Sequence, residues 1–142
     1  MKKFQKKKIK LELSKQPLSK KEIEAKLNGI GNTKVKLIGG DTQITLKKFI
    51  KSKKKVDFIF IDGGHSVKTI LSDWKNVKKI MSKKSIVIFD DYYNDTEITK
   101  NFGCNKVINE IGKEFNFEIL ESTDFIFFNK KKIKNSLVKV FY

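Results

Sequence analysis

The sequence contains no arginine, and it has very little cysteine, proline or alanine. All 32 basic residues among the 142 are lysine, against 16 acidic residues, which gives a formal net charge of +16. Arginine is the residue best suited to bidentate contacts with phosphates and guanines, so its absence weighs against direct reading of nucleic-acid bases. The single cysteine, Cys104, excludes an internal disulfide, which favours a reducing, cytoplasmic environment.

Long apolar runs are also absent. The longest ones, Phe58 to Ile61 and Ser85 to Phe89, are far shorter than the roughly 20 residues that a helix needs to cross a bilayer. Met1 to Lys10 is basic, but Leu11 to Ser19 is not the continuous apolar stretch that a signal peptide requires. The sequence therefore predicts neither a membrane span nor a signal peptide.

The large positive charge has two interpretations. Lysine, isoleucine, asparagine and phenylalanine are plentiful while Ala25 is the only alanine, which is the usage expected of an AT-rich genome. We favour this codon bias over a nucleic-acid function as the source of the charge. The charge still predicts weak, salt-sensitive, non-specific nucleic-acid binding, so a non-catalytic basic α/β domain that binds nucleic acid is the alternative function.

Helical and extended patterns alternate along the chain. Residues 1–17 are assigned to a basic N-terminal arm and residues 18–142 to a folded domain. Ser19 and Glu22 have the spacing of a helix capping box. The predicted helices cover residues 19–30, 45–50, 66–80 and 104–115. The predicted strands cover residues 34–38, 56–61, 85–89, 117–120 and 125–128. This order predicts an α/β fold with a mostly parallel sheet, and the last two strands are expected to form a C-terminal antiparallel hairpin.

Acidic residues follow three of the predicted strands. Asp41 follows the first, Asp62 and then His65 follow the second, and Asp90 and Asp91 follow the third. The carboxyl ends of parallel strands share one edge of the sheet, where ligands bind in open α/β folds. Clustered carboxylates repel one another unless a cation or hydrogen-bond donors satisfy them, and a site made of oxygen ligands favours Mg²⁺ or Mn²⁺.

Two other interpretations of these acids stay open at this point. Asp62, Asp90 and Asp91 could simply cap the helices that follow them, since acids are favoured at helix N-termini. A response-regulator-like domain also clusters aspartates at strand ends, but it needs a lysine at the end of a neighbouring strand, and none is so placed. His65 taken alone would be an ordinary loop residue.

The segments Val56 to Ser66 and Ile86 to Tyr93, with the Trp74-containing helix between them, resemble strands four and five of class I S-adenosylmethionine-dependent methyltransferases. That family has a Rossmann-like, three-layer α/β sandwich. The resemblance is closest to the metal-dependent O-methyltransferases. It implies S-adenosylmethionine as cofactor and methyl transfer to a hydroxyl of a small molecule or sugar.

The resemblance also implies roles for individual residues. By position in the motifs, Asp62, Asp90 and Asp91 would hold Mg²⁺ (or Mn²⁺), and His65 would be the catalytic base. The Gly39-Gly40-Asp41-Thr42 segment is similar to the one whose aspartate contacts the adenine of the cofactor. Cofactor binding is accordingly expected at Asp41 and Thr42, and at Asp62 with the adjacent Gly63.

The glycine-rich loop that follows the first strand in this family has no counterpart in the sequence. Gly29-Ile30-Gly31 follows a predicted helix instead of a strand, so it is interpreted as a helix stop. The sequence therefore predicts a domain truncated at its N-terminus, with residues 18–142 as a partial methyltransferase domain. Because an incomplete sheet exposes an edge, we expect a homo-oligomer or a complementing chain.

Overall fold

The computed structural model describes residues 18–30, 32, 34–121 and 124–142. The chain divides into two compact units, Met1–Gly39 and Gly40–Tyr142. The elements in chain order are α1 (Lys20–Asn28), α2 (Thr42–Ile50), β1 (Phe58–Ile61), α3 (Val67–Val77), β2 (Ile86–Tyr93), α4 (Asn105–Asn109), β3 (Asn116–Leu120), β4 (Phe125–Phe128) and β5 (Lys131–Phe141). The predicted arm, residues 1–17, lies outside the described residues, so its boundary stays a prediction.

The described part of the first unit is built around α1. The predicted capping box is confirmed: the Ser19 amide donates to Glu22 Oε2 at 2.7 Å, and the Glu22 amide donates to Ser19 Oγ at 3.3 Å. Gly29 ends the helix as predicted, while Gly31 lies outside the described residues.

The strand predicted over residues 34–38 is wrong. The Val35 amide donates to Asn28 Oδ1 at 2.6 Å, and the Leu37 amide donates to Glu24 Oε1 at 2.5 Å. Side chains of α1 thus satisfy the backbone groups that would otherwise pair with a neighbouring strand, so the alternating residues remain irregular.

Three helices in the second unit follow the sequence pattern to different extents. The segment predicted from Thr45 begins earlier, at Thr42. The long amphipathic helix is confirmed as α3 and continues into a 3₁₀ turn, Lys78–Ile80. The last predicted helix is reduced to the five residues of α4. In the ranges that the structure describes, no helix is both long and apolar enough to cross a membrane.

The sheet of the second unit confirms the α/β class. β1 and β2 are parallel, with Phe58 opposite Ile86 and Ile61 opposite Phe89. β5 is antiparallel to β2, β3 and β4, and the strand order is β1-β2-β5-β3 with β4 also paired to β5. The parallel part of the described sheet is therefore the β1–β2 pair, and the C-terminal strands supply the antiparallel part.

The predicted hairpin between the strands at residues 117–120 and 125–128 is wrong. β3 and β4 do not pair with each other, because both pair with β5, a strand that the sequence analysis does not predict. The hairpin is formed by β4 and β5 around Asn129 and Lys130, which have φ values of 48° and 62°. Two successive residues with positive φ fit the tight turn whose twist matches that of the flanking strands.

The core of the second unit lies between one face of the sheet and the helices α3 and α4. Trp74 lies at its centre and meets the rings of Phe89 and Phe115 edge-on, at centroid distances of 5.5 and 5.1 Å. Cys104 is fully buried in the same cluster, as expected for a core residue. Burial of this large aromatic and aliphatic surface is the main stabilising contribution to the unit.

β1 differs from its sequence-based prediction. Its apolar pattern favours a central strand covered on both faces, but within the described ranges it pairs only with β2. Ile59 and Ile61 pack against the core, while Phe58 and Phe60 are 62% and 50% exposed. Side chains alternate between the two faces of a strand, so the exposed pair marks the face opposite α3 and α4.

Candidate functional site

The loop after β1 carries three of the predicted site residues on an exposed turn. Asp62, Gly63 and His65 are all exposed. Ser66 ends the loop and caps α3, because its Oγ accepts a hydrogen bond from the Thr69 amide at 3.2 Å. The capping interpretation of Asp62 is therefore wrong, since a serine performs that role here.

Backbone hydrogen bonds fix this loop to a second loop before α4. The Gly103 amide donates to the His65 carbonyl at 2.8 Å, and the Val67 amide donates to the Asn101 carbonyl at 3.0 Å. Ser66 and Phe102 form an isolated antiparallel bridge between these two bonds. The backbone of His65 is thus held on a short two-stranded connection.

The end of β2 is bent by a β-bulge at Asp90 and Asp91. The register with β5 shifts between Phe89 and Tyr92, and Asp91 has a positive φ of 64°. A bulge of this kind places two residues of one strand opposite one of its partner, and it re-aims side chains next to many active sites. Here it gives the two neighbouring aspartates different partners.

Asp91 is the buried centre of the site. Only 11% of its side chain is exposed, and its Oδ2 contacts Nδ1 of His65. Its Oδ1 accepts a hydrogen bond from the Tyr93 hydroxyl at 2.6 Å. Both carboxylate oxygens are therefore engaged, one by a histidine and one by a tyrosine.

The charges around His65 change its acidity. The hydrogen bond to Asp91 and the negative charge of Asp91, with lesser contributions from Asp62 and Asp90, raise the pKa of His65 above its ordinary value, while burial acts in the opposite direction. Burial and the bond to Asp91 raise the pKa of Tyr93, which therefore stays a neutral donor. Burial raises the pKa of Cys104 to about 12, so this thiol stays protonated and unreactive.

Asp90 has a separate set of partners. Its Oδ1 accepts from the Asp91 amide at 2.7 Å and from Asn135 Nδ2 at 3.2 Å. In the described part of the chain, no group of three histidine, cysteine or carboxylate side chains is placed to hold a metal ion. With both oxygens of Asp91 already engaged, Asp62, Asp90 and Asp91 do not fit the predicted Mg²⁺ or Mn²⁺ centre.

Asp41 and Thr42, the predicted adenine-contacting residues, lie at the start of α2. Asp41 is its N-cap and accepts from the Gln43 amide through Oδ1 at 2.8 Å. Asp41 therefore caps α2, a role that the sequence analysis did not assign to it. Its side chain is nevertheless exposed, and its Oδ2 makes no hydrogen bond that the described residues show. A role in cofactor binding at Asp41, Thr42, Asp62 and Gly63 stays a prediction.

Three residues that support the site were not singled out from the sequence. Asn105 holds Tyr93 by accepting from its amide at 3.0 Å and donating to its carbonyl at 2.8 Å. Gly103 packs its α-carbon against the Asp91 carbonyl. Asp73 on α3 is 5% exposed, lies beside Gly63, and its Oδ1 has no hydrogen-bond partner among the described residues. Of these three residues, only Gly103 could have been recognised from the sequence, because glycine is favoured where the backbone has a positive φ.

Comparison with known proteins identifies the family of the chain. A family model described as a methyltransferase domain matches residues 7–92, more than half of the chain. The chain belongs to the methyltransferase-domain family. The match includes β1, α3 and all but the last residue of β2, and it ends at Tyr92, directly after Asp90 and Asp91. The class I methyltransferase resemblance is therefore confirmed at the level of the family.

One solved structure is similar to this methyltransferase domain over much of its length. It is precorrin-8W decarboxylase from Methanobacterium thermoautotrophicum, with 14% sequence identity and a TM-score of 0.44. The alignment covers 84% of this chain and 60% of that one, so the methyltransferase domain spans about 60% of the length of that protein. No curated protein matches the sequence.

Proposed function

We propose that the protein transfers a methyl group from S-adenosylmethionine to a hydroxyl of a small molecule, with His65 as the general base. The observation that carries this proposal is the contact between His65 Nδ1 and the buried carboxylate of Asp91. A histidine oriented by a carboxylate has one nitrogen fixed as donor and the other free to accept a proton. Family membership supports the methyl transfer itself.

The carboxyl ends of β1 and β2 carry Asp62, Asp90 and Asp91, which we call the acidic edge, and its negative charge suits the cofactor. S-adenosylmethionine, when bound, supplies an electrophilic methyl group on a positively charged sulfur. Asp62, Asp90 and Asp91 all act electrostatically on His65 and give the edge a negative character within a strongly basic chain. Asp62 is exposed and has neither a hydrogen bond nor an ion pair among the described residues, so it is free to bind a cationic or hydroxyl group. These residues fit a cationic cofactor better than they fit a metal.

The chain's own residues have three tasks in this mechanism. Asp91 accepts from His65 Nδ1 and holds the ring, so that Nε2 faces away from the carboxylate and takes the proton of the acceptor hydroxyl. Tyr93 and Asn105 keep Asp91 and its strand in place. The loop from Asp62 to Ser66 aligns the two reactants, and alignment supplies much of the rate of such a displacement. No step requires Mg²⁺.

The rate of methyl transfer should depend on pH through His65. Because Asp91 raises the pKa of His65 above its ordinary value of 6.5, a rate limited by the neutral imidazole should rise with pH through a midpoint above 6.5. In Asp91→Asn the carboxylate charge is lost, so the midpoint should move to lower pH. The measurement is the pH profile of kcat/KM for both proteins, and a midpoint that does not move would contradict the assignment of His65 as base.

The second prediction separates the two roles of Asp41. Asp41→Ala removes the N-cap of α2 and should lower the free energy of unfolding by about 1 kcal/mol, while Asp41→Asn keeps a side-chain oxygen for the cap and should be nearly neutral. If Asp41 also binds the cofactor, both substitutions should weaken S-adenosylmethionine binding, as measured by calorimetry with and without Mg²⁺. Full retention of affinity in Asp41→Asn would limit this residue to its capping role.

The same titration tests the proposed function as a whole. We expect the unmodified chain to bind S-adenosylmethionine with equal heat in the presence and absence of Mg²⁺. No heat at millimolar cofactor would contradict the proposed function. Salt-sensitive retention on heparin without any cofactor binding would instead favour the alternative, a basic α/β domain that binds nucleic acid.

A further inference from the structure

A basic groove runs along α3 next to the candidate site. Its volume is about 800 Å³, and four lysines line it, Lys68, Lys75, Lys100 and Lys106, with no acidic residue among the described residues of its wall. We call it the lysine groove. Its volume is within the range of small-molecule binding sites, which is roughly 300 to 1,000 Å³.

The lysine groove holds an excess of unpaired positive charge. Lys100 is 2.9 Å from Glu97, in an exposed pair three residues apart. The other three lysines have no carboxylate within ion-pair distance in the part of the chain that the structure describes. Like charges around a concave surface repel one another and focus a positive potential, so a bound anion relieves the repulsion.

The groove is continuous with the loop that carries the proposed base. Its wall includes Ser66, the residue after His65, and Phe102, the residue before Gly103. Ser66 and Phe102 are bridged to each other, and the Gly103 amide is bonded to the His65 carbonyl. A ligand in the groove therefore lies against the same hydrogen-bonded connection that positions His65.

We propose that the lysine groove binds a phosphate or diphosphate group of the methyl acceptor, which makes the acceptor a phosphorylated small molecule. This inference rests on the proposed function of His65. The acidic edge would receive the cationic donor, and the adjacent basic groove would receive an anionic acceptor. Lysine binds phosphate as a point charge, which suits a groove without arginine. A groove of this volume and a sequence without arginine favour a small ligand over nucleic acid.

The test measures anion binding to the full chain separately from catalysis. Inorganic pyrophosphate and glucose 1-phosphate are titrated by calorimetry at fixed ionic strength into the unmodified protein and into Lys68→Gln/Lys106→Gln. The matched control, Lys83→Gln/Lys113→Gln, removes the same charge from two exposed lysines that do not line the groove. We expect one site that is weakened at least about tenfold in the groove variant, because two charged hydrogen-bond donors are lost, and less than about twofold in the control.

Equal weakening in both double variants would overturn the inference, because the effect would then follow net charge alone. A single-stranded oligonucleotide that displaces pyrophosphate and binds far more tightly would also overturn it in favour of nucleic acid. His65→Ala should keep the pyrophosphate affinity and lose methyl transfer to glucose 1-phosphate. Anion binding in the groove without any S-adenosylmethionine binding would mean that the proposed function fails while the anion site stands.

Discussion

Replacing Gly103 with alanine should destabilise the second unit strongly. Gly103 has a φ of +85°, and a Cβ there would lie 2.4 Å from the Asp91 carbonyl oxygen and 2.7 Å from the Tyr93 ring. The backbone conformation alone costs a non-glycine residue about 1 to 2 kcal/mol. Relieving the overlap requires the Asp91 backbone or the Tyr93 ring to move, which adds about 1 to 3 kcal/mol. Equilibrium unfolding in urea measures the sum.

Gly112 is the matched control for this substitution. Its φ of +84° is nearly the same, but a Cβ there meets nothing within 4 Å. Gly112→Ala should therefore lose only the conformational contribution, about 1 to 2 kcal/mol. Equal losses of unfolding free energy in the two variants would show that the neighbours of Gly103 yield without cost, and that this close approach does not hold Asp91 in place.

Replacing His65 with alanine should abolish most of the catalytic activity. General-base catalysis contributes about 10² to 10⁴ in rate, so His65→Ala should lower kcat by that factor. His65 is 63% exposed in its side chain and lies outside the core cluster, so the free energy of unfolding should change little. The measurement is the rate of S-adenosylhomocysteine formation with glucose 1-phosphate as acceptor, together with the affinity for S-adenosylmethionine.

Asp91→Asn tests whether Asp91 positions His65 for catalysis. The amide retains the shape of the side chain but not its charge, so the rate should fall at least about tenfold while the cofactor still binds. Asp57→Asn is the control, because Asp57 is an exposed aspartate that precedes β1 and lies outside the site. A normal rate in both His65→Ala and Asp91→Asn would remove this pair from the mechanism and leave the methyltransferase fold unaffected.

The division of charge around the His65 loop gives the proposed reaction a physical basis. Three aspartates act on His65 from the acidic edge, and four lysines line the groove that begins at Ser66. A cationic donor and an anionic acceptor would each meet the opposite charge and would approach His65 from adjoining surfaces. Electrostatic complementarity of this kind assists encounter and fixes orientation more than it increases affinity.

Much of the site could be predicted because its residues follow recognisable local patterns. Asp62 after β1 and the two aspartates within β2 are visible in the sequence as polar residues that end apolar runs. Local patterns do not show whether these carboxylates can hold a metal ion. That depends on which of their oxygens already accept hydrogen bonds, and sequence spacing does not reveal that Tyr93 and Asn135 are the donors.

β5 shows why part of the fold was missed. Its first half is rich in lysine and lacks the apolar run that identifies β1 and β2. Ser136, Val138 and Val140 are buried at alternate positions. The signal in the sequence that could have indicated a strand is the alternation of Val138 and Val140 with Lys139. The place of β5 between β2 and β3 depends on pairings between residues that are 17 or more positions apart in the sequence, and such pairings leave no local pattern.

The sequence by itself determined the class of fold, the helix α3, the strands β1 and β2, and the family, because each depends on local periodicity or on a contiguous motif. Tertiary structure alone decided which of the two adjacent aspartates binds His65. The bulge in β2 and the close packing of Gly103 direct Asp91 to the histidine and leave Asp90 to Asn135. Neighbours in sequence acquire different hydrogen-bond partners here because the opposing strand and loop, and not the motif, set their surroundings.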